Sequence, residues 1–139
     1  MDAIEALCEG SSLLESVLAP FGFAFRVLGS GDSSGGRFAS GVFEHDERRL
    51  EFSFRYSLGL VTYSIGGASL SHSEYMRALG HASDASYPGF SSDPLDGFRH
   101  LRQDLERFGS EFLTGDETDF ERRCEWVASN PAPSGIGAI

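Results

Sequence analysis

The chain has no lysine. Its 11 basic residues are all arginine and face 21 acids, for a net charge of −10. A surface this acidic repels phosphate backbones and anionic headgroups. The composition therefore predicts no nucleic-acid and no membrane binding, and it points to a basic protein as partner. Cysteine is scarce as well. Cys8 and Cys124 are far apart, form no C-x-x-C, and fall on predicted helix faces, which reads as two buried thiols rather than a disulfide or redox pair. No apolar run approaches the roughly 20 residues of a membrane-spanning helix. The opening MDAIEALCEGSSLLESVLAP has acids but no basic leader, so a cytoplasmic location is expected and a secretory signal is not.

Chemical motifs are also missing. There is no G-x-S-x-G elbow and no H-E-x-x-H. The four histidines, His45, His72, His81 and His100, are scattered, so neither a metal nor a cofactor is expected, and no residue is singled out as catalytic. The glycines of GSGDSSGG (29–36) follow a strand, but no lysine and no helix follows them, which removes the phosphate-loop reading. Cys124 lies beside Arg123, which could lower its pKa, but its place on an apolar face predicts burial and inertness.

What is present is apolar and patterned. Of 139 residues, 40% are hydrophobic and 12 are Phe, enough for one domain over 1–128 with a flexible tail at 129–139. Residues 2–18 read as a helix capped by Asp2, with Ile4, Leu7, Cys8, Ser11, Leu14 and Leu18 on one face. Phe21, Phe23, Phe25 and Val27 alternate as a strand, followed by a flexible loop at 29–36. Strands follow at 37–45 and 50–58, the second with Leu50, Phe52, Phe54, Tyr56 and Leu58 facing inward. Gly59 marks a turn, and 60–65 is a fourth strand. Then the period changes to helical: 71–80, a long helix over 94–113, and a last helix capped by Asp116 or Thr118. The predicted fold is α+β, with an N-terminal helix, a four-stranded antiparallel meander sheet, and three helices packed on one face.

Within SYPGFSSDPLDGFRHLRQDLERF (86–108), Asp93, Pro94 and Asp96 are a helix-start signal. Tyr87 and Phe90 lie in the loop before it, either covering the core or facing a partner. On the polar sheet face, Arg26 and Arg55 are expected to pair across strands, Arg55 with Glu44 or Glu51 for instance. His72 reads as a capping or solvent residue.

The block 37–125, with FRYSLGLVTYSIG, LSHSEYMRALG and YPGFSSDPLDGFRHLRQDLERFGSEFLTGD, resembles small acidic bacterial proteins of the polymorphic-toxin immunity type. The resemblance implies a cytosolic inhibitor that binds and blocks a basic cognate toxin, and it carries over no site residue. The expectation is a non-catalytic protein-binding module using Glu44, Asp46, Glu47, Asp84, Tyr87 and Phe90. One alternative is a small-molecule-binding protein or hydrolase, with a pocket between the sheet and the 82–92 loop. An apolar cleft near Arg55, Tyr63 and Tyr87 would favour it over a flat acidic face. Another is a secretion-type chaperone, against which the consecutive strands argue.

Overall fold

The structure is a computed structural model and describes residues 2–33, 36–89 and 92–131. Asp2 opens the first helix, α1 (Ala3–Leu18), by accepting the Glu5 N–H at 2.8 Å. The buried stripe is Leu7, Gly10, Ser11, Leu14 and Leu18, whereas Ile4 and Cys8, expected on it, are exposed. Gly10 explains the rotation. Any Cβ there would collide with Cδ2 and Cε2 of Phe98, so the bare backbone faces the ring and turns residues 4 and 8 outward. Phe21 is not in a strand either. It ends a 3-10 turn, Ala19–Phe21, and is exposed.

Five strands follow: β1 (Ala24–Ser33), β2 (Gly36–His45), β3 (Arg48–Arg55), β4 (Ser57–Ile65) and β5 (Ala68–Ser71). They lie in chain order, every neighbour antiparallel, so the predicted meander gains one strand. The stretch 29–33, expected as loop, pairs with 36–40, because hairpin hydrogen bonds outweigh the poor strand propensity of Gly and Ser. The β3–β4 turn is at Tyr56, three residues before the glycine that was expected to form it. Tyr56 has φ 67 and is 74% exposed, so it leaves the inner face assigned to it. Gly59 lies inside β4, where the register is irregular.

Among the described residues four helices follow the sheet rather than three: α2 (His72–Leu79), α3 (Asp96–Phe108), α4 (Ser110–Thr114) and α5 (Glu117–Ser129). The helix predicted over 94–113 breaks at Gly109, whose N–H closes α3 on the Leu105 carbonyl at 3.0 Å. Arg48 then reaches across from β3 and donates to the carbonyls of Phe112 (2.5 Å) and Gly115, closing the end of α4.

The core is the sheet's inner face under these helices. One row of paired residues, Phe43, Leu50, Tyr63 and Leu70, crosses four strands and is almost wholly buried. Phe98 of α3 meets Phe52 edge-on at 5.8 Å, and Phe112 of α4 meets Tyr63 edge-on at 5.0 Å. Each such ring contributes on the order of 2–3 kcal/mol by burial. The outer face carries a charge ladder: Arg26 to Glu44 (2.9 Å), and Arg49 to Glu44 (3.4 Å) and Glu51 (2.8 Å). Arg26 thus pairs across strands as expected, and the Arg55 guanidinium lies over the Phe38 ring, 5.6 Å from its centroid. Among the described residues no helix is long and apolar enough to cross a membrane.

Candidate functional site

The capping box of α2 sets the site. Ser71 Oγ accepts the Glu74 N–H at 3.2 Å, and Glu74 answers by accepting the Ser71 N–H at 2.9 Å. This fixes the helix rotation and turns His72, with Tyr75 and Met76, into the core. His72 is 4% exposed, so it is neither a cap nor a solvent residue. Its Nδ1 is 2.8 Å from the Tyr63 hydroxyl and its Nε2 is 2.9 Å from Asp104 Oδ2.

The protons in this chain can be assigned. Asp104 is fully buried, and burial pushes its carboxyl pKa up. The donors His72, Ser86 N–H (2.6 Å) and Tyr87 N–H (2.9 Å) outweigh that and hold it below the ordinary carboxylate value. Burial, reinforced by Tyr75 and Asp104, pushes the Tyr63 phenol well above its usual value, so it keeps its proton. Tyr63 then donates to Nδ1, and Nε2–H donates to the carboxylate. Both imidazole nitrogens are occupied.

Asp104 also fastens a wall. Its two backbone donors belong to the 81–89 segment, and Ser86 Oγ is held again by His100 Nδ1 at 2.5 Å. Tyr87 reaches the opposite side, its hydroxyl donating to the carbonyls of Leu58 (3.2 Å) and Gly59. Burial pushes that phenol up to about 12. Between this wall, the start of β4 and the first turns of α2 lies a half-open cleft of about 480 Å³. Leu60, Val61, Met76, Ala82, Ala85 and Pro88 make its lining mainly apolar, with His72 and Tyr87 as the aromatic faces. The one charged residue on the lining, Arg77, donates to the Asn130 carbonyl at 2.7 Å and lies over the Trp126 ring.

Hydroxyl, imidazole and carboxylate stand here in the order a hydrolase uses. All three groups are buried and hydrogen-bonded to one another. Tyr63 is 1% exposed with its proton retained, and the His72 lone pair is taken by that proton. Among the described residues no group of three or more His, Cys, Asp or Glu could hold a metal ion. Cys124 is half-buried, and burial, with Glu74, Glu121 and Glu125 near it, raises its thiol pKa. Arg123 is turned elsewhere, to Glu111 and the Ala78 carbonyl.

The residues expected to meet a partner do not form one patch. Glu44 is engaged by Arg26 and Arg49. Asp46 is the turn residue of β2–β3, at φ 52, and faces His45 at 3.5 Å. Glu47 is exposed beside it, near the β4–β5 turn, where a Cβ on Gly66 would lie 3.9 Å from its Oε2. Tyr87 is at the other end of β4, against Leu58 and Gly59, roughly 20 Å along the strand. Asp84 is exposed in the 81–89 segment and faces His81 at 3.3 Å. Phe90 lies outside the described residues, and Arg55 is not on the cleft lining.

Sequence reasoning missed His72 and Asp104, although a signal exists for both. Asp104 interrupts the apolar stripe Phe98, Leu101, Leu105, Phe108, and His72 shares a stripe with Tyr75, Met76 and Leu79. An acid and an imidazole each at a core position of separate helices are candidates for each other. The chain matches no family model, and no curated protein or solved structure matches it significantly.

Proposed function

We propose that this chain is a small-molecule-binding protein whose site is the cleft between α2, the 81–89 segment and β4. One observation carries the reading: a preformed, mainly apolar cleft whose single proton-transfer ring, His72, has both nitrogens committed within the fold. Such a site supplies burial and shape, and the imidazole it holds is not a free base. Binding without turnover follows. The test is a fragment screen by heteronuclear NMR. Hits that perturb the amides of Leu60, Met76, Ala85 and Tyr87 support the reading. Hits confined to other surfaces, or turnover of activated esters that is lost in His72→Ala, refute it.

A second reading, the immunity-type inhibitor of a basic toxin, is favoured by α5. Glu117, Glu121 and Glu125 stack at i, i+4 and i+8, all exposed, with no ion pair among the described residues. Like charges at that spacing cost a helix on the order of 0.2–0.5 kcal/mol each, and a basic partner would relieve the cost. Glu47 extends the column, since Gly66 lies between it and Glu117. Reversing the three α5 glutamates to Arg should abolish salt-sensitive capture of a basic protein from native lysate. Equal capture by both forms would exclude this face.

A further inference from the structure

We infer that the cleft takes a neutral, ring-bearing apolar molecule; this rests on the ligand-binding reading above. The argument begins with charge. Among the described residues no Asp or Glu lines the cleft, so a cationic guest would leave water with no carboxylate to pair against. Among the described residues an anion meets only Arg77, and it would share that guanidinium with the Asn130 carbonyl and the Trp126 ring.

Polarity points the same way. The polar atoms of the floor are already matched: Tyr63 to His72, His72 to Asp104, and Asp104 to two backbone N–H groups. An apolar guest over this floor strands no donor and no acceptor. A polar guest gains little there, because among the described residues the hydroxyls on the lining, other than that of Tyr87, belong to Ser71 and Ser73 at the start of α2. These lie 3.3 Å from each other, within hydrogen-bond reach. They suit one hydroxyl or carbonyl at the guest's edge.

Shape completes the class. The His72 and Tyr87 rings meet edge to face, with centroids 5.2 Å apart, and Met76 brings a polarisable thioether beside them. Aromatic edges and sulfur favour a flat ring over a branched aliphatic body. About 480 Å³ accommodates two or three fused or linked rings. Leu60, 69% exposed at the rim, is the apolar side chain that a guest would cover.

The experiment uses a matched pair of probes on the full chain. N-phenyl-1-naphthylamine is neutral; 8-anilino-1-naphthalenesulfonate carries the same rings and an anionic sulfonate. Fluorescence titration should show the neutral probe binding at least tenfold more tightly. Leu60→Ser, a change at an exposed position, should weaken that binding by about tenfold, the scale of one leucine's burial, without moving the thermal midpoint. Equal or tighter binding of the sulfonate, still sensitive to Leu60→Ser, overturns the neutral class and keeps the cleft. Failure of both probes to bind, or binding indifferent to Leu60→Ser and to a blocking Ala82→Trp, overturns the class and the ligand-binding reading together.

Discussion

Replacing Asp104 by Asn tests whether one buried carboxylate holds the cleft wall. The side chain is fully buried and accepts from His72 Nε2 (2.9 Å), Ser86 N (2.6 Å) and Tyr87 N (2.9 Å). The amide keeps one oxygen. If that oxygen serves His72 and Tyr87, the new NH₂ faces the Ser86 N–H, leaving two donors head to head in a dry site. One charge-assisted bond is lost and two are weakened, at about 1.5–3 kcal/mol for a full bond to a charged group. Leaving the buried Ser86 N–H without an acceptor adds about 1–3 kcal/mol. The expected loss is therefore about 4 kcal/mol, or roughly 10 °C in a domain of this size. Denaturant unfolding followed by circular dichroism measures it. The sign of the pH dependence is a second check. The folded carboxyl is held below its unfolded value of about 3.9, so its stabilisation is complete above that pH. It drains away as pH falls through the lower folded value. The gap between wild type and Asp104→Asn should be full at neutral pH and narrow below about pH 4. Hydrogen exchange at Ser86 and Tyr87 should quicken more than at core strand amides. A variant within about 1 kcal/mol of wild type, or a gap that does not change with acid, would refute the reasoning.

Gly10→Ala should destabilise by about 1–3 kcal/mol even though alanine is the better helix former, because its Cβ enters the Phe98 ring. Phe98→Leu should make the same glycine change less costly, and a raised melting temperature in the single variant would contradict the packing. Arg48→Met should cost about 2 kcal/mol by leaving the α4 carbonyls without their donor; urea titration reads this, and an unchanged midpoint counts against it. In alkali, Tyr63, Tyr75 and Tyr87, all raised by burial, hold their protons in the folded state above the pH at which the open chain loses them near 10. Their contribution is whole below that pH and is lost as pH rises through the folded values. Ultraviolet titration should find these phenols silent until unfolding begins, and smooth early ionisation of all of them would contradict their burial.

The meander and the α1 cap were legible because their signals are local. Asp2 acts within a few residues of itself. The extension of β1 through glycine and serine was not, since the pairing across the hairpin decides it, and the four residues of β5 are too few to show a period. Tyr56 carries no mark of a left-handed tip. A cleft between the sheet and the 82–92 loop, near Arg55, Tyr63 and Tyr87, was one alternative the sequence offered; Tyr87 lines the observed cleft and Arg55 does not, and His72 and Asp104 were not anticipated. His72 and Asp104 are 32 positions apart, and only the packing of α2 and α3 onto the same strand, β4, brings them to 2.9 Å.

Strand order that follows chain order has a consequence for synthesis. Each pairing in the sheet joins sequence neighbours, so contact order within it is low and β1 to β5 can assemble early. Part of the cover for the inner face arrives late, because Phe98, Leu101, Leu105 and Phe112 all follow the last strand. A nascent chain halted near residue 90 would therefore have α1 and α2 but lack the rings that meet Phe52, Phe54 and Tyr63. That makes the interval before α3 emerges the one in which aggregation competes with folding.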